Sequence, residues 1–344
     1  MIRFIDLFAG VGGIRLGFQQ AAAACGVDSK CVFSSEIEPW ACKTYVKNFP
    51  DDTLNPLCDI TKVNEKELPD FDVVLGGFPC QAFSIAGKRG GFEDTRGTLF
   101  FDVARIIKEK RPSAFLLENV KGLTNHRGGK TLNTILNTLK EDLGYTTFYK
   151  VLNAKNYGLA QNRERIYIVG FLNAGGGFKY PEPIKEKRVI KDIMEEKPVP
   201  AKYYLSTVYI ESMKRHRARH EALGHGFGYE IRPVDGIANT VVCGGMGKER
   251  NLIIDTRQKD LTPTTHIKGQ VNRDGIRRMT PIEWERLQGF PDNWTSGIAD
   301  QHRYKQMGNS VAVPVIKLVS EALIKELQHP TVYVDDNDGQ LSLF

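Results

Sequence analysis

Between about Arg3 and Leu172 the chain alternates short apolar runs with stretches of helical periodicity, and few folds accept that pattern. The runs fall at 4–8, 31–35, 73–75, 114–117, 146–152 and 166–172, with helix-like segments at 14–24, 98–110 and 130–143 between several of them. Short apolar runs bounded by breakers read as buried strands. Interleaved with helices, they predict an α/β fold with a mostly parallel sheet and helices on both faces. No internal repeat is visible.

The chain of 344 residues can bury a large core in one or two domains. No apolar run approaches the length of a membrane span, and Met1-Ile2-Arg3-Phe4-Ile5-Asp6 enters a strand at once, without a signal peptide. The six cysteines (25, 31, 42, 58, 80 and 243) form no Cys-x-x-Cys pair and no zinc-like spacing. Reduced thiols, a cytoplasmic location and no metal site are the expectation. The net charge of +6 is unevenly placed: residues 185–278 hold 19 Lys/Arg against 12 Asp/Glu, and the remainder 28 against 29. A basic excess confined to one segment suits a face for a polyanion, although a solvated basic face has the same composition.

Candidate chemistry collects at the predicted carboxyl ends of the strands, where open α/β sheets bind ligands. After the run at 73–75 comes Gly76-Gly77-Phe78-Pro79-Cys80-Gln81. A Cys on such a Gly/Pro turn is a candidate nucleophile, or else a small buried residue closing the strand. The first turn, Asp6-Leu7-Phe8-Ala9-Gly10-Val11-Gly12-Gly13, is neither a dinucleotide fingerprint nor a Walker loop, yet lets a ligand approach backbone and helix N-terminus. Glu36 ends the second run, where an acid commonly holds ribose hydroxyls or caps a helix, and Asp59-Ile60 follows the next apolar piece. Together these suggest an adenosine-containing cofactor. Residues 84–97 hold four glycines with Lys88, Arg89 and Arg96, the composition of a cationic loop that closes over a substrate or of a connector. Glu118-Asn119-Val120 places a carboxyl group on the Cys80 edge, and alternation puts Gln161, Arg163 and Arg165 on one side of an extended approach to the last strand.

Residues 173–185 look like a linker. Beyond it, periodicity is weak, with a helical candidate at 206–220 and Gly-rich runs at 224–228 and 244–247. Another helical region spans 279–291, and Gln306-Met307-Gly308-Asn309-Ser310 leads into an amphipathic helix at 311–327 that can pack back on the first part.

These motifs, in this order, closely resemble the DNA (cytosine-5)-methyltransferases of bacterial restriction–modification systems, over nearly the whole chain. Residues 6–13 resemble the family's cofactor loop, Phe78-Pro79-Cys80-Gln81 its catalytic loop, and Glu118-Asn119-Val120 its acidic motif. Gln161-x-Arg163-x-Arg165 resembles its arginine motif, 278–291 its domain-packing motif, and 306–310 its closing cofactor motif. The resemblance implies an S-adenosylmethionine-dependent methyltransferase sheet plus a smaller irregular target-recognition domain. The implied divisions are 1–180 for catalysis and cofactor, 181–302 for recognition with a hinge, 303–330 for the returning helix, and 331–344 for an acidic tail.

It also implies the chemistry. Cys80 would add to C6 of a flipped cytosine, turning the ring into an enamine able to take a methyl group at C5. Glu118, carrying or sharing a proton in a dry pocket, would hydrogen-bond N3 and the 4-amino group. Arg165 would bind O2, and Arg163 would help hold Cys80 and the phosphate backbone. Phe8, Gly10, Val11, Gly12 and Gly13 would contact the methionine portion of the cofactor, Glu36 the ribose, Ile37 the adenine face and Asp59-Ile60 its edge, with Pro79, Leu99 and Asn309 completing the site. Some relatives carry Trp where Ile37 stands, so an aliphatic contact would replace stacking here.

Double-stranded DNA is the implied partner, with Ser84, Lys88, Arg96, Phe227 and Thr240 as candidate contacts. Thr240-Val241 resembles the family's short recognition signature, and Phe227 is either a wedge filling the flipped base's place or a packed core aromatic. Gln340-Leu341-Ser342-Leu343-Phe344 looks like the pentapeptide by which bacterial proteins dock on the replicative sliding clamp, or is a terminal patch packing on the enzyme itself. A cognate endonuclease and a monomeric state complete the expectation. The rivals are a transfer-RNA cytosine methylase and a catalytically dead DNA-binding regulator; the motif of amino-methyltransferases is absent.

Overall fold

The computed structural model describes residues 1–50, 56–79, 99–226, 228–265 and 267–331. Their strands are β1 (Ile2–Leu7), β2 (Ser29–Ser35), β3 (Val73–Gly76), β4 (Ala114–Val120), β5 (Thr146–Asn153), β6 (Gln161–Asn162), β7 (Glu164–Phe171), β8 (Ala238–Asn239), β9 (Leu252–Ile254) and β10 (Ile276–Arg278). The helices are α1 (Gly13–Ala24), α2 (Pro39–Asn48), α3 (Leu99–Lys110), α4 (Lys130–Asn137), α5 (Thr207–Ala222), α6 (Pro281–Gln288), α7 (Asp300–Asn309) and α8 (Val313–Gln328). Two compact units result: Met1–Leu152, Glu164–Glu182 and the chain from Val315 form the first; Asn153–Arg163 and Pro183–Pro314 form the second.

The first unit is built on a six-stranded sheet in the order β2-β1-β3-β4-β7-β5. Pairs β1/β2, β1/β3 and β3/β4 are parallel, while β4/β7 is antiparallel. The mostly parallel sheet expected from the apolar runs is present. Burial explains the runs: Val73, Val74, Leu75 and residues 114–117 are wholly inaccessible, as strands covered on both faces must be. The chain leaves β1 for β2 on one side and returns to β3 on the other. The carboxyl ends of β1 and β3 therefore flank the switch point where such sheets open a crevice. One side of the sheet shares a core of Ile5, Leu7, Val74, Phe100, Phe115, Leu117 and Ile168. Helix α8 buries Val315, Ile316, Val319, Leu323 and Ile324 at helical spacing. It is tied to this unit through Glu326, whose Oε1 accepts the Gly175 N–H at 2.9 Å.

Among the described residues, the stretch Asp300–Gln328 is long and apolar enough to cross a membrane, which reading by apolar runs does not detect. Of its most apolar window, 61% is buried within the protein, and Ser310–Ala312 interrupts the α-helix. It is a core element of the fold.

The second unit has little regular structure: antiparallel β9/β10, parallel β6/β8, and α5, α6 and α7. A small apolar cluster of Leu205, Ile210, Met213, Leu252 and Ile276 is supplemented by a buried ionic one. Arg277 is inaccessible; its Nε donates to Asp255 Oδ2 at 3.0 Å, and Nη1 and Nη2 donate to the two Glu283 oxygens at 2.7 Å each. Glu283 also closes the capping box that starts α6 at Thr280. Burial alone would raise the Asp255 carboxyl, but Arg257 and Arg277 outweigh it and hold it at about 2. A depressed carboxyl stabilises fully above its unfolded value of 3.8 and loses that contribution as pH falls through about 2. Replacing Arg277 by Met strands the Glu283 carboxylate in the interior and leaves Asp255 to Arg257 alone. We expect a loss of about 3–5 kcal/mol, read as a lower urea midpoint. A midpoint unchanged from the native protein would refute the assignment of Arg277 as the organiser of this unit.

Candidate active site

The register places the site. Leu7 pairs with Ser35 on one side and Gly76 on the other, and Gly76 pairs with Leu117. The next residue on each strand is therefore Phe8, Glu36, Gly77 and Glu118, one row along the carboxyl edge of four parallel strands. Because β7 runs antiparallel, it brings its first residues to the same edge: Val120 pairs with Arg165 and Glu118 with Tyr167.

At the left of this row the backbone turns sharply. Phe8, Gly10 and Gly12 have φ of 55°, 54° and 82°. Gly12 caps α1 in the left-handed region, and a Cβ there would lie 2.3 Å from the Phe49 ring, so only glycine fits. The Gly10 N–H donates to Glu36 Oε2 at 2.8 Å, and the N–H groups of Ile37 and Glu38 donate to Glu36 Oε1 at 2.9 Å each. Glu36 thus joins the β1 turn to the end of β2.

Beneath the turn lies a polar group that sequence reading passed over. Asp6 is inaccessible; burial raises its carboxyl to about 7, against the Arg15 guanidinium and with added repulsion from Glu36. Arg15 is itself buried, with Cζ 3.8 Å above the Phe49 ring and Nη1 donating to the Tyr45 hydroxyl at 3.0 Å. Polar residues in a strand–turn–helix read as surface; nothing in their spacing reveals this buried set.

On the right, Glu118 is buried at the end of β4 and Arg165 Nε lies 3.3 Å from its Oε1. Arg165 Nη1 donates to the Glu164 carbonyl at 2.8 Å. Asn119 Nδ2 donates to the Phe78 carbonyl at 2.7 Å, which fixes the turn after β3 two residues before Cys80. Asn119 belongs to the motif quoted from the sequence, but this clamping role was not legible there. Gly77 keeps the space beside Glu118 open; a Cβ would stand 3.6 Å from Oε2.

An adenosine-type ligand fits the left-hand side. Ile37 follows Glu36 in the chain and Leu57 is bridged to it, and the two leave 67% and 51% of their surface exposed, apolar surface suited to a planar ring. Trp40, in the first turn of α2, has Lys43 Nζ 5.6 Å from its ring centroid. Val11 and Ile60 turn their side chains into the core, so only their backbone can face a ligand. Asp59 accepts from Thr61 N–H and hydroxyl at 3.0 and 2.7 Å. Pro79 is exposed, Leu99 half-buried and Gly13 buried at the start of α1.

Arg163, Thr240 and Asn309 belong to the second unit. Arg163 is buried, donating from Nη1 to the Val241 carbonyl at 3.0 Å and from Nη2 to the Ser310 carbonyl. The expected extended approach through Gln161, Arg163 and Arg165 is divided, because β6 leaves to pair with β8 while β7 joins the main sheet. Gln161 is inaccessible and accepts the Val241 N–H at 2.9 Å, and Thr240 donates to the Asn162 carbonyl at 2.6 Å. Asn309 is exposed at the end of α7. Cys80, Ser84, Lys88, Arg96, Phe227 and the pentapeptide 340–344 lie outside the described residues. Among those described, no cluster of His, Cys, Asp or Glu could hold a metal ion.

Comparison with known proteins agrees with this geometry. The family model described as C-5 cytosine-specific DNA methylase matches residues 2–325. The type II methyltransferase M.HpaII of Haemophilus parainfluenzae is 58% identical over 329 residues, covering 94% of this chain and 89% of that one. Type II methyltransferase M1.ScrFI of Lactococcus lactis subsp. cremoris is 46% identical over 330 residues, covering 95% and 79%. In fold, the crystal structure of the S. pombe Dnmt2 methyltransferase matches with TM-score 0.72 at 18% identity, over 95% of this chain and 99% of that one. The chain therefore belongs to the C-5 cytosine-specific DNA methylase family and is a DNA (cytosine-5)-methyltransferase of restriction–modification type, using S-adenosylmethionine.

Proposed function

We propose that this protein methylates one cytosine within a specific duplex sequence, after flipping it, by transient addition of Cys80 to C6. The observation that carries the reading is the pairing of Glu118 with Arg165 on the strand edge where the fixed Phe78 carbonyl leads into Pro79-Cys80. Bound S-adenosylmethionine would supply an electrophilic methyl carbon, held by the Phe8–Gly13 turn, Glu36, Ile37, Asp59, Ile60, Pro79, Leu99 and Asn309.

The Cys80 thiolate would add to C6 and push the ring's electron pair toward C5, where the cofactor's methyl carbon would be the electrophile and its sulfur would leave as a neutral thioether. Glu118 meets N3 and the 4-amino group, where charge shifts during addition, and the Arg165 guanidinium binds O2. N3 of neutral cytosine carries no proton, so Glu118, paired with Arg165 at 3.3 Å, supplies the proton that it shares with N3 as the sulfur adds. Loss of the C5 proton to water and expulsion of the thiolate restore aromaticity and free Cys80. Arg163 acts as a positioning residue, bracing the carbonyls of Val241 and Ser310 next to Thr240 and Asn309.

Recognition is assigned to residues 181–302, with Thr240 and Phe227 at the DNA and Ser84, Lys88 and Arg96 in the loop after Cys80. The catalytic part is 1–180, with the returning helix within 303–330. The tail 331–344 is assigned as a tether whose Gln340–Phe344 segment docks on a sliding clamp. The enzyme acts as a cytoplasmic monomer beside a cognate endonuclease that it does not contact. Incubation with duplex DNA and methyl-labelled cofactor should place label on C5 of one cytosine per recognised site, mapped by bisulfite sequencing. Label on transfer RNA but not DNA, or on the exocyclic nitrogen, would overturn the proposal.

A further inference from the structure

The second unit contains a cavity of about 870 Å³ that the catalytic reading does not use. Lys202, Lys248, Arg278 and Lys305 line it, against one lining carboxylate, that of Asp300. That carboxylate is already engaged: Lys202 Nζ is at 2.7 Å, the Tyr203 hydroxyl at 3.0 Å and Arg303 Nη1 at 3.8 Å. The neighbouring Glu249 is taken by Arg278 at 2.8 Å and by the Tyr209 hydroxyl at 3.1 Å. Lys248 is left half-buried over the Tyr304 ring, 4.9 Å from its centroid, with no carboxylate partner among the described residues. Burial and the Arg278 charge pull its ammonium below the ordinary lysine range. Glu249 and Asp300 attract it through space but are engaged by other groups and do not offset burial and Arg278, so an entering anion would stabilise this partly desolvated cation.

The cavity wall points the same way. Gly244 and Gly245 line it, and a Cβ added to either meets nothing within 4 Å. Internal packing therefore does not require Gly244, whereas close approach of a ligand to the backbone does. Helix α7 begins at the same wall with no side-chain cap, so its first N–H groups add positive potential.

We propose that this cavity seats a backbone phosphate of the DNA substrate, with Lys248 as its principal counter-charge. The proposal rests on the DNA reading above and adds a sequence-independent contact to it. The test is the salt dependence of duplex binding by fluorescence anisotropy, for the native protein, Lys248→Gln, Lys248→Arg and Gly244→Val, using several unrelated sequences. Loss of one phosphate contact should make the slope of log K against log salt shallower by about 1, weakening all sequences alike. Lys248→Arg should restore the slope. Gly244→Val should weaken binding without moving the thermal midpoint, since its side chain meets only open space. A folded Lys248→Gln with the native slope overturns the proposal while leaving the DNA reading intact. Absence of duplex binding by the native protein overturns both. If inorganic phosphate raises the thermal midpoint of the native protein but not of Lys248→Gln, while their DNA slopes agree, the cavity holds a free anion and the DNA contact is refuted.

Discussion

Cys80→Ser should yield no covalent complex with duplex DNA carrying 5-fluorocytosine and should transfer methyl groups at least about 10⁴-fold more slowly than the native protein, on the scale of losing a nucleophile. The reasoning is chemical. C5 of cytosine becomes nucleophilic only when something adds at C6, and a thiol supplies a useful fraction of anion near neutral pH, whereas a serine hydroxyl without a base supplies almost none. With hydrogen at C5 the adduct collapses once the proton leaves. Fluorine cannot leave as a cation, so the native enzyme should be caught with its sulfur still bonded to C6, stable to denaturing electrophoresis. The serine variant should keep the native thermal midpoint, because the change is one atom, sulfur to oxygen, in a side chain of the same shape. That comparison separates lost chemistry from lost folding. A serine variant still trapped on the fluorinated DNA would contradict the role of Cys80 and with it the whole addition mechanism.

Much of the sheet could be read from the sequence because its strands are buried on both faces. The runs at 73–75 and 114–117 became β3 and β4, since parallel strands under helices need continuous apolar sequence. Strand direction could not be read this way. Nothing in the composition of 166–172 says that β7 runs antiparallel, yet that reversal carries Arg165 to Glu118. The segment 161–165 misled in a related manner: alternation assumes one strand, and the chain changes sheets between Asn162 and Glu164. Buried polar residues were the other blind spot. Asp6, Gln161, Arg277 and Glu283 are inaccessible, and their burial was not legible because it depends on partners elsewhere in the chain or fold. The turn around Glu36 was legible because its contacts are local, with the Gly10 N–H reaching Glu36 Oε2 at 2.8 Å.

Glu118→Gln should slow single-turnover methyl transfer by about 10²–10⁴-fold, the range for losing a general acid. Glutamine keeps the shape of the side chain, an oxygen for Arg165 and a donor for the base, but it cannot share a proton with N3. The variant should therefore still bind DNA and cofactor while forming the Cys80 adduct slowly, and trapping on 5-fluorocytosine should be delayed by the same factor as transfer. Structural damage would look different. Removing the charge at 3.3 Å leaves the half-buried Arg165 guanidinium, at the start of β7, without its anion, and that cost falls on stability. Measuring the thermal midpoint beside the trapping rate distinguishes the two. A large fall in midpoint with trapping at the native rate would make Glu118 a support for Arg165 rather than a catalytic residue. Slow trapping in a stable variant is the result that the geometry requires: Glu118 must act on the base while sulfur adds, because charge moves onto the ring at that step and the carboxyl group stands at the same strand edge.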